Sequence, residues 1–129
     1  MRYKSTRNSQ LRLEASQVIA QGISEEGGLF VPETLPDLRE ELPALAKLEY
    51  PALAKTIFRK FLTDFTPEEV GHCVDSAYTA DKFDGASPVK LVPLSKDAED
   101  KYLLELWHGP TCAFKDMALR SCPIFSPRL

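Results

Sequence analysis

The 129 residues, 43% hydrophobic and 27% charged, suffice for one ordinary globular domain, or one small domain and part of another. A net charge of −3 with no Lys/Arg cluster excludes the concentrated basic face that nucleic acid requires. No apolar run approaches ~20 residues, so no segment is expected to cross a membrane. The opening Met1-Arg-Tyr-Lys-Ser-Thr-Arg-Asn8 has no hydrophobic core of the secretory type, and a cytoplasmic location is the expectation. Cys73, Cys112 and Cys122 are odd in number and not at metal-ligand spacing. Neither a disulfide framework nor a metal site is expected. Cys73 and Cys112 read as small packing residues.

Residues 1–7 read as a short strand or extended arm with Tyr3 as its apolar anchor. Residues 14–21 carry Ala15, Val18 and Ile19 on one face, the pattern of a short helix, and Gly22 is placed as its C-cap. The Gly27-Gly28 pair marks a turn that needs a positive φ. A short extended run, Leu29-Phe-Val31, is closed by Pro32. Pro32, Pro36, Pro43 and Pro51 then forbid a long helix and leave single helical turns. Pro51 opens a helix to about Leu62, with Leu53, Ile57, Phe58, Phe61 and Leu62 on one stripe. Thr66-Pro67-Glu68-Glu69 combines an N-cap, a first-turn proline and a capping-box glutamate. It predicts a helix whose apolar face is Val70, Cys73, Val74, Ala77 and Tyr78.

The polar stretch 81–87 reads as a boundary. Residues 88–93 and 102–107 read as two strands joined by a charged turn, with the geometry of a hairpin. Gly109-Pro110 ends the second strand, and residues 113–119 read as the start of a helix. Lys115 therefore sits between a strand and a helix N-terminus, whose partial positive charge favours a neutral amine. A neutral amine is a nucleophile able to form a Schiff base with an aldehyde cofactor. A surface lysine in a first helical turn is the plainer reading of the same residue.

Three stretches together carry a resemblance: Tyr3-Lys-Ser-Thr-Arg7, Gln21-Gly-Ile with Gly27-Gly-Leu-Phe-Val-Pro32, and Leu103-Leu-Glu-Leu-Trp-His-Gly-Pro-Thr-Cys-Ala-Phe-Lys-Asp-Met-Ala118. In this order the chain resembles the N-terminal part of threonine synthase. The resemblance implies an α/β, pyridoxal-phosphate-dependent lyase of fold type II, seen here as an α+β fragment. Residues 1–84 would be a mainly helical N-terminal unit with short strands, and 85–119 the first elements of the cofactor-binding domain. The implied reaction converts O-phospho-L-homoserine and water into L-threonine and phosphate. Lys115 aligns with the lysine that holds pyridoxal 5′-phosphate and then moves protons. His108, Thr111, Phe114 and Asp116 would support that lysine rather than react. A turn residue and a first-turn carboxylate are equal readings for His108 and Asp116.

The family is several times longer than this chain. A glycine-rich phosphate loop and a partner for the pyridine nitrogen are not found in it. The exposed edge of an incomplete parallel sheet would favour aggregation. The tail, Arg120-Ser-Cys-Pro-Ile-Phe-Ser-Pro-Arg-Leu129, contains two prolines that stop the preceding helix. One permitted codon choice, read in a shifted frame, encodes an apolar helical continuation, so residues 120–129 are expected to be a frame-shifted tail. The alternatives are a catalytically dead fragment or interaction module, and a threonine-synthase-like phospho-lyase. Oligomeric state is left open.

Overall fold

The computed structural model describes residues 1–85, 87–95, 100–121 and 125. Elements follow in the order β1 (Tyr3–Ser5), α1 (Ala15–Gln21), β2 (Phe30–Pro32), α2 (Leu42–Leu45), α3 (Tyr50–Phe61), α4 (Pro67–Ala77), β3 (Lys90–Pro93), β4 (Tyr102–Glu105) and α5 (Asp116–Leu119).

β1 and β2 pair antiparallel, with Tyr3 opposite Pro32 and Ser5 opposite Phe30. Proline closes the ladder at its end, where a missing N–H costs least. Tyr3 also bridges to Leu13, which delivers the chain into α1. The Glu14 N–H donates to Gln17 Oε1 at 2.9 Å, and Gly22, at φ 74°, returns its N–H to the Val18 carbonyl. Gly27 takes φ 77°, as the turn signal requires. The proline-rich stretch forms one short helix, α2, and otherwise irregular chain.

α3 and α4 pack against each other and carry the core. In α4 the capping box forms: Glu69 N–H donates to Thr66 Oγ1 at 3.2 Å, and Thr66 N–H to Glu69 Oε2 at 2.7 Å. Val70, Cys73, Val74 and Ala77 have no exposed surface. Burying a valine of this kind stabilises by about 1.5–3 kcal/mol. α3 differs from the expected stripe. Tyr50, Ala54, Phe58 and Leu62 meet the core, whereas Leu53, Ile57 and Phe61 are half-buried outside it. The inner row is spaced strictly by four, with a small alanine in the middle. A small residue there permits close approach between helices. Lys55 reaches Asp75 of α4 at 2.6 Å and Lys60 reaches Glu41 at 2.6 Å. Such partly exposed pairs contribute below about 1 kcal/mol.

β3 and β4 form the expected antiparallel hairpin, with Lys90 opposite Glu105 and Pro93 opposite Tyr102. Leu91, Tyr102, Leu103 and Leu104 are exposed on it. The described strands make two separate two-stranded antiparallel sheets, so the expected parallel-sheet edge does not occur among the described residues. No helix among the described residues is long and apolar enough to cross a membrane.

Two further expectations are corrected. The helix expected over 113–119 begins at Asp116. Cys112 lies at φ 54°, which breaks helical continuity, and bonds of the i→i−3 type tighten residues 109–117 into successive turns. Cys112 is exposed rather than packed, whereas Cys73 is buried as expected. Of the tail, residues 122–124 and 126–129 lie outside the described residues, Cys122 among them. Phe125 is described and buried. Its ring meets Phe58 at 5.8 Å and Phe65 at 5.1 Å in edge-to-face geometry.

Candidate active site

The site is built from the loop that leaves β4 and enters α5. His108 comes first and is buried, with 8% of its surface exposed. Its Nε2–H donates to Glu105 Oε2 at 2.8 Å, and its Nδ1 faces Asp84 Oδ2 at 3.7 Å. The Asp84 N–H donates to the His108 carbonyl at 3.1 Å. His108 thus joins the end of β4 to the segment that follows α4. Trp107 stands beside it, half exposed, with the two rings 5.7 Å apart.

Gly109 has a definite steric reason. A Cβ at this position would lie 2.5 Å from Asp116 Oδ2 and 2.6 Å from Asp116 Cβ. Asp116 is 2% exposed, and the room it occupies exists because residue 109 has no side chain. The carboxylate accepts from Thr111 N–H at 2.9 Å and from Thr111 Oγ1 at 2.8 Å. Burial pushes the Asp116 carboxyl up, but the bonds donated by Thr111 and Ala113 and the charge of Arg120 outweigh it. The net result lies below the usual aspartate range. Asp116 therefore closes residues 111–116 into a ring of hydrogen bonds.

Lys115 occupies the N-cap position of α5, at φ −64°. The dipole field expected at Lys115 is small, because α5 has only four residues. The side chain is exposed, with Nζ 4.5 Å from the Phe114 ring centroid, within cation–π range. Both residues line an open, apolar depression of about 530 Å³ with Tyr50, Leu104, Leu106 and Met117. Among the described lining residues Lys115 is the sole cation.

The five residues singled out in the sequence divide into two groups. Lys115 and Phe114 face the depression. His108, Thr111 and Asp116 are not among its lining residues and bond within the loop and to Glu105 and Asp84. Sequence reasoning missed Glu105, Asp84, Tyr50 and Tyr78. Glu105 had a local signal, three residues before His108. Tyr50 and Tyr78 had none, since they reach the loop through tertiary packing. The Tyr78 hydroxyl donates to the Met117 carbonyl at 2.8 Å across 39 positions of sequence.

Comparison with known proteins adds a family, two relatives and two solved structures. Residues 2–78 match the family model for the threonine synthase N terminus. Threonine synthase of Methylobacillus glycogenes is 36% identical over 125 residues, covering 93% of this chain and 26% of the relative. Human threonine synthase-like 2 is also 36% identical over 125 residues, covering 95% of this chain and 25% of that protein. The crystal structure of PLP-bound threonine synthase from Brucella melitensis superposes with a TM-score of 0.84 at 29% identity. It covers 98% of this chain and 26% of that one. Threonine synthase from Escherichia coli matches at a TM-score of 0.75 and 25% identity, over 97% of this chain and 27% of that one. The chain spans about a quarter of the length of the relatives it matches. With more than half of its residues inside the family model and curated relatives above 30% identity along its length, the chain belongs to the threonine synthase family.

Proposed function

We propose that the chain forms the lysine-bearing N-terminal portion of a pyridoxal-phosphate-dependent threonine synthase of fold type II. The reaction is the conversion of O-phospho-L-homoserine and water to L-threonine and phosphate. Residues 1–84 are its helical support and 85–119 the opening of the cofactor-binding domain. The observation that carries the reading is Lys115, whose amine stands at an apolar depression on a loop held by Asp116.

The residues fit one end of the cofactor. An amine beside an aromatic ring and an apolar floor suits the aldehyde-bearing pyridine ring. The cofactor's phosphate finds no second cation among the described lining residues, so its binding is assigned to the part of the relatives this chain does not span. When bound, pyridoxal phosphate supplies an electron sink for carbanions on the substrate. Lys115 Nζ would hold the cofactor's aldehyde and, as a free amine, would accept and return protons at the substrate. Phe114 backs the amine, while Thr111 and Asp116 set the loop from which it projects. Fixing a reacting group in this way lowers the entropy to be lost on reaction.

A threonine-synthase-like phospho-lyase and an inactive fragment are the alternative readings, and the equal 36% identity to human threonine synthase-like 2 does not favour either over the synthase. One experiment addresses these readings. The purified chain is mixed with pyridoxal phosphate, reduced with borohydride and digested. The cofactor's mass is expected on the peptide containing Lys115 and is expected to vanish in Lys115→Ala. Equal labelling of other lysines, or no labelling, would sink the reading. Given O-phospho-L-homoserine, release of threonine with phosphate selects the synthase. Phosphate without threonine selects the phospho-lyase, and neither product selects an inactive fragment.

A further inference from the structure

The segment that leaves α4 touches the lysine loop at two places. At its start, Tyr78 caps α4 and its hydroxyl donates to the Met117 carbonyl at 2.8 Å, two residues beyond Lys115. At its end, Asp84 donates its N–H to the His108 carbonyl at 3.1 Å and presents its carboxylate to His108 Nδ1, seven residues before Lys115. Between them Phe83 is buried, with its ring 6.0 Å from that of Tyr78. Residues 78–84 therefore grip the lysine loop on both sides of Lys115.

Tyr78 is itself held. Its ring meets that of Tyr50 edge-on at 5.1 Å. Burial, the neighbouring Tyr78 and a hydrogen bond with the Tyr78 side chain all raise the Tyr50 hydroxyl well above the usual tyrosine range. Tyr78 thus stands between the Tyr50 ring in the first turn of α3 and the backbone of α5. Tyr50 also lines the depression that Lys115 faces. The Met117 carbonyl belongs to a four-residue helix, which has little stability of its own. An outside donor to such a helix fixes its direction.

We propose that Tyr78 is a positioning residue for Lys115, through the hydrogen bond from its hydroxyl to the Met117 carbonyl. On this view the helical unit orients the lysine as well as folding beside it. Tyr78 lies at the end of the stretch that matches the family's N-terminal model. The inference rests on the assignment of Lys115 as cofactor anchor, and the test keeps the two separable.

Tyr78→Phe keeps the ring and its contacts with Tyr50 and Phe83 and removes only the donor. The first measurement is amide hydrogen exchange on the full chain, without cofactor. Exchange across residues 113–119 is expected to quicken about five- to tenfold, the size of one neutral hydrogen bond. Protection across α3 and α4 is expected to hold. The second measurement is cofactor loading on Lys115. Apparent affinity is expected to fall by about the same factor, and the ellipticity of the visible band per bound cofactor to fall with it. An achiral chromophore shows ellipticity only where it is held in one orientation, so a merely structural residue leaves that ratio alone. Asp84→Asn tests the other contact, and its quickened exchange is expected near His108 instead.

Unchanged exchange at 113–119 in Tyr78→Phe would overturn the proposal, as would loading with unaltered affinity and ellipticity. Loss of protection throughout α3 and α4 would overturn it too, because the hydroxyl would then serve the whole fold. If the wild-type chain loads no cofactor on Lys115, the functional reading fails, and the exchange measurement still decides the role of Tyr78.

Discussion

At the scale of single residues, the lysine loop is governed by two backbone demands and one carboxylate. Gly109 is needed because Asp116 fills the space a side chain would take. Cys112 is held in the left-handed region at φ 54°, which costs a non-glycine residue roughly 1–2 kcal/mol. The surrounding hydrogen bonds, chiefly those between Thr111 and Asp116, keep it there. The Asp116 carboxyl lies below its ordinary range, since donated hydrogen bonds outweigh its burial. A carboxyl lowered in the fold stabilises it above the ordinary value, and that stability is lost as pH falls through the lowered one. Wild type is therefore expected to exceed Asp116→Asn in urea midpoint at neutral pH. The gap is expected to close below about pH 4. Midpoints measured along a pH series check this, and a gap that stays constant from neutral to acid would refute it.

At the scale of elements, stability is concentrated in α4. Its N-terminus carries a complete reciprocal capping box, and its inner face is wholly buried. Thr66→Ala removes the acceptor for Glu69 N–H and is expected to cost about 1 kcal/mol, read as a lower thermal midpoint. An unchanged midpoint would place the start of the helix elsewhere. The hairpin of β3 and β4 is the opposite case. Leu91, Tyr102, Leu103 and Leu104 are exposed, and two strands alone are marginal in water. The loop that follows it is tied to the segment after α4 through His108 and Asp84. α4 was legible because capping and periodicity are local signals. The later start of α5 was not legible, because Cys112 departs from helical φ under bonds that Asp116 imposes from four residues ahead.

At the scale of the whole molecule, one core gathers β1, α1, α3 and α4, and Phe125 belongs to it. From the sequence, the last ten residues read as a frame-shifted tail. Yet the Phe125 ring meets both Phe58 and Phe65. Removing a buried phenylalanine costs about 3–5 kcal/mol, a large part of what a domain of this size possesses. Phe125→Ala is expected to lower the urea midpoint strongly at unchanged secondary structure in water, or to leave the chain unfolded. A midpoint within error of wild type would show that the ring is not part of the core. The sequence by itself determined the helices, the hairpin, the family and the lysine motif, because capping, periodicity and local spacing act between near neighbours. Only the tertiary structure decided what surrounds Lys115. The Tyr78 bond to Met117, the meeting of Asp84 with His108, and the seat of Phe125 all join residues far apart in the chain. Such contacts depend on how the elements pack, and no local pattern encodes that.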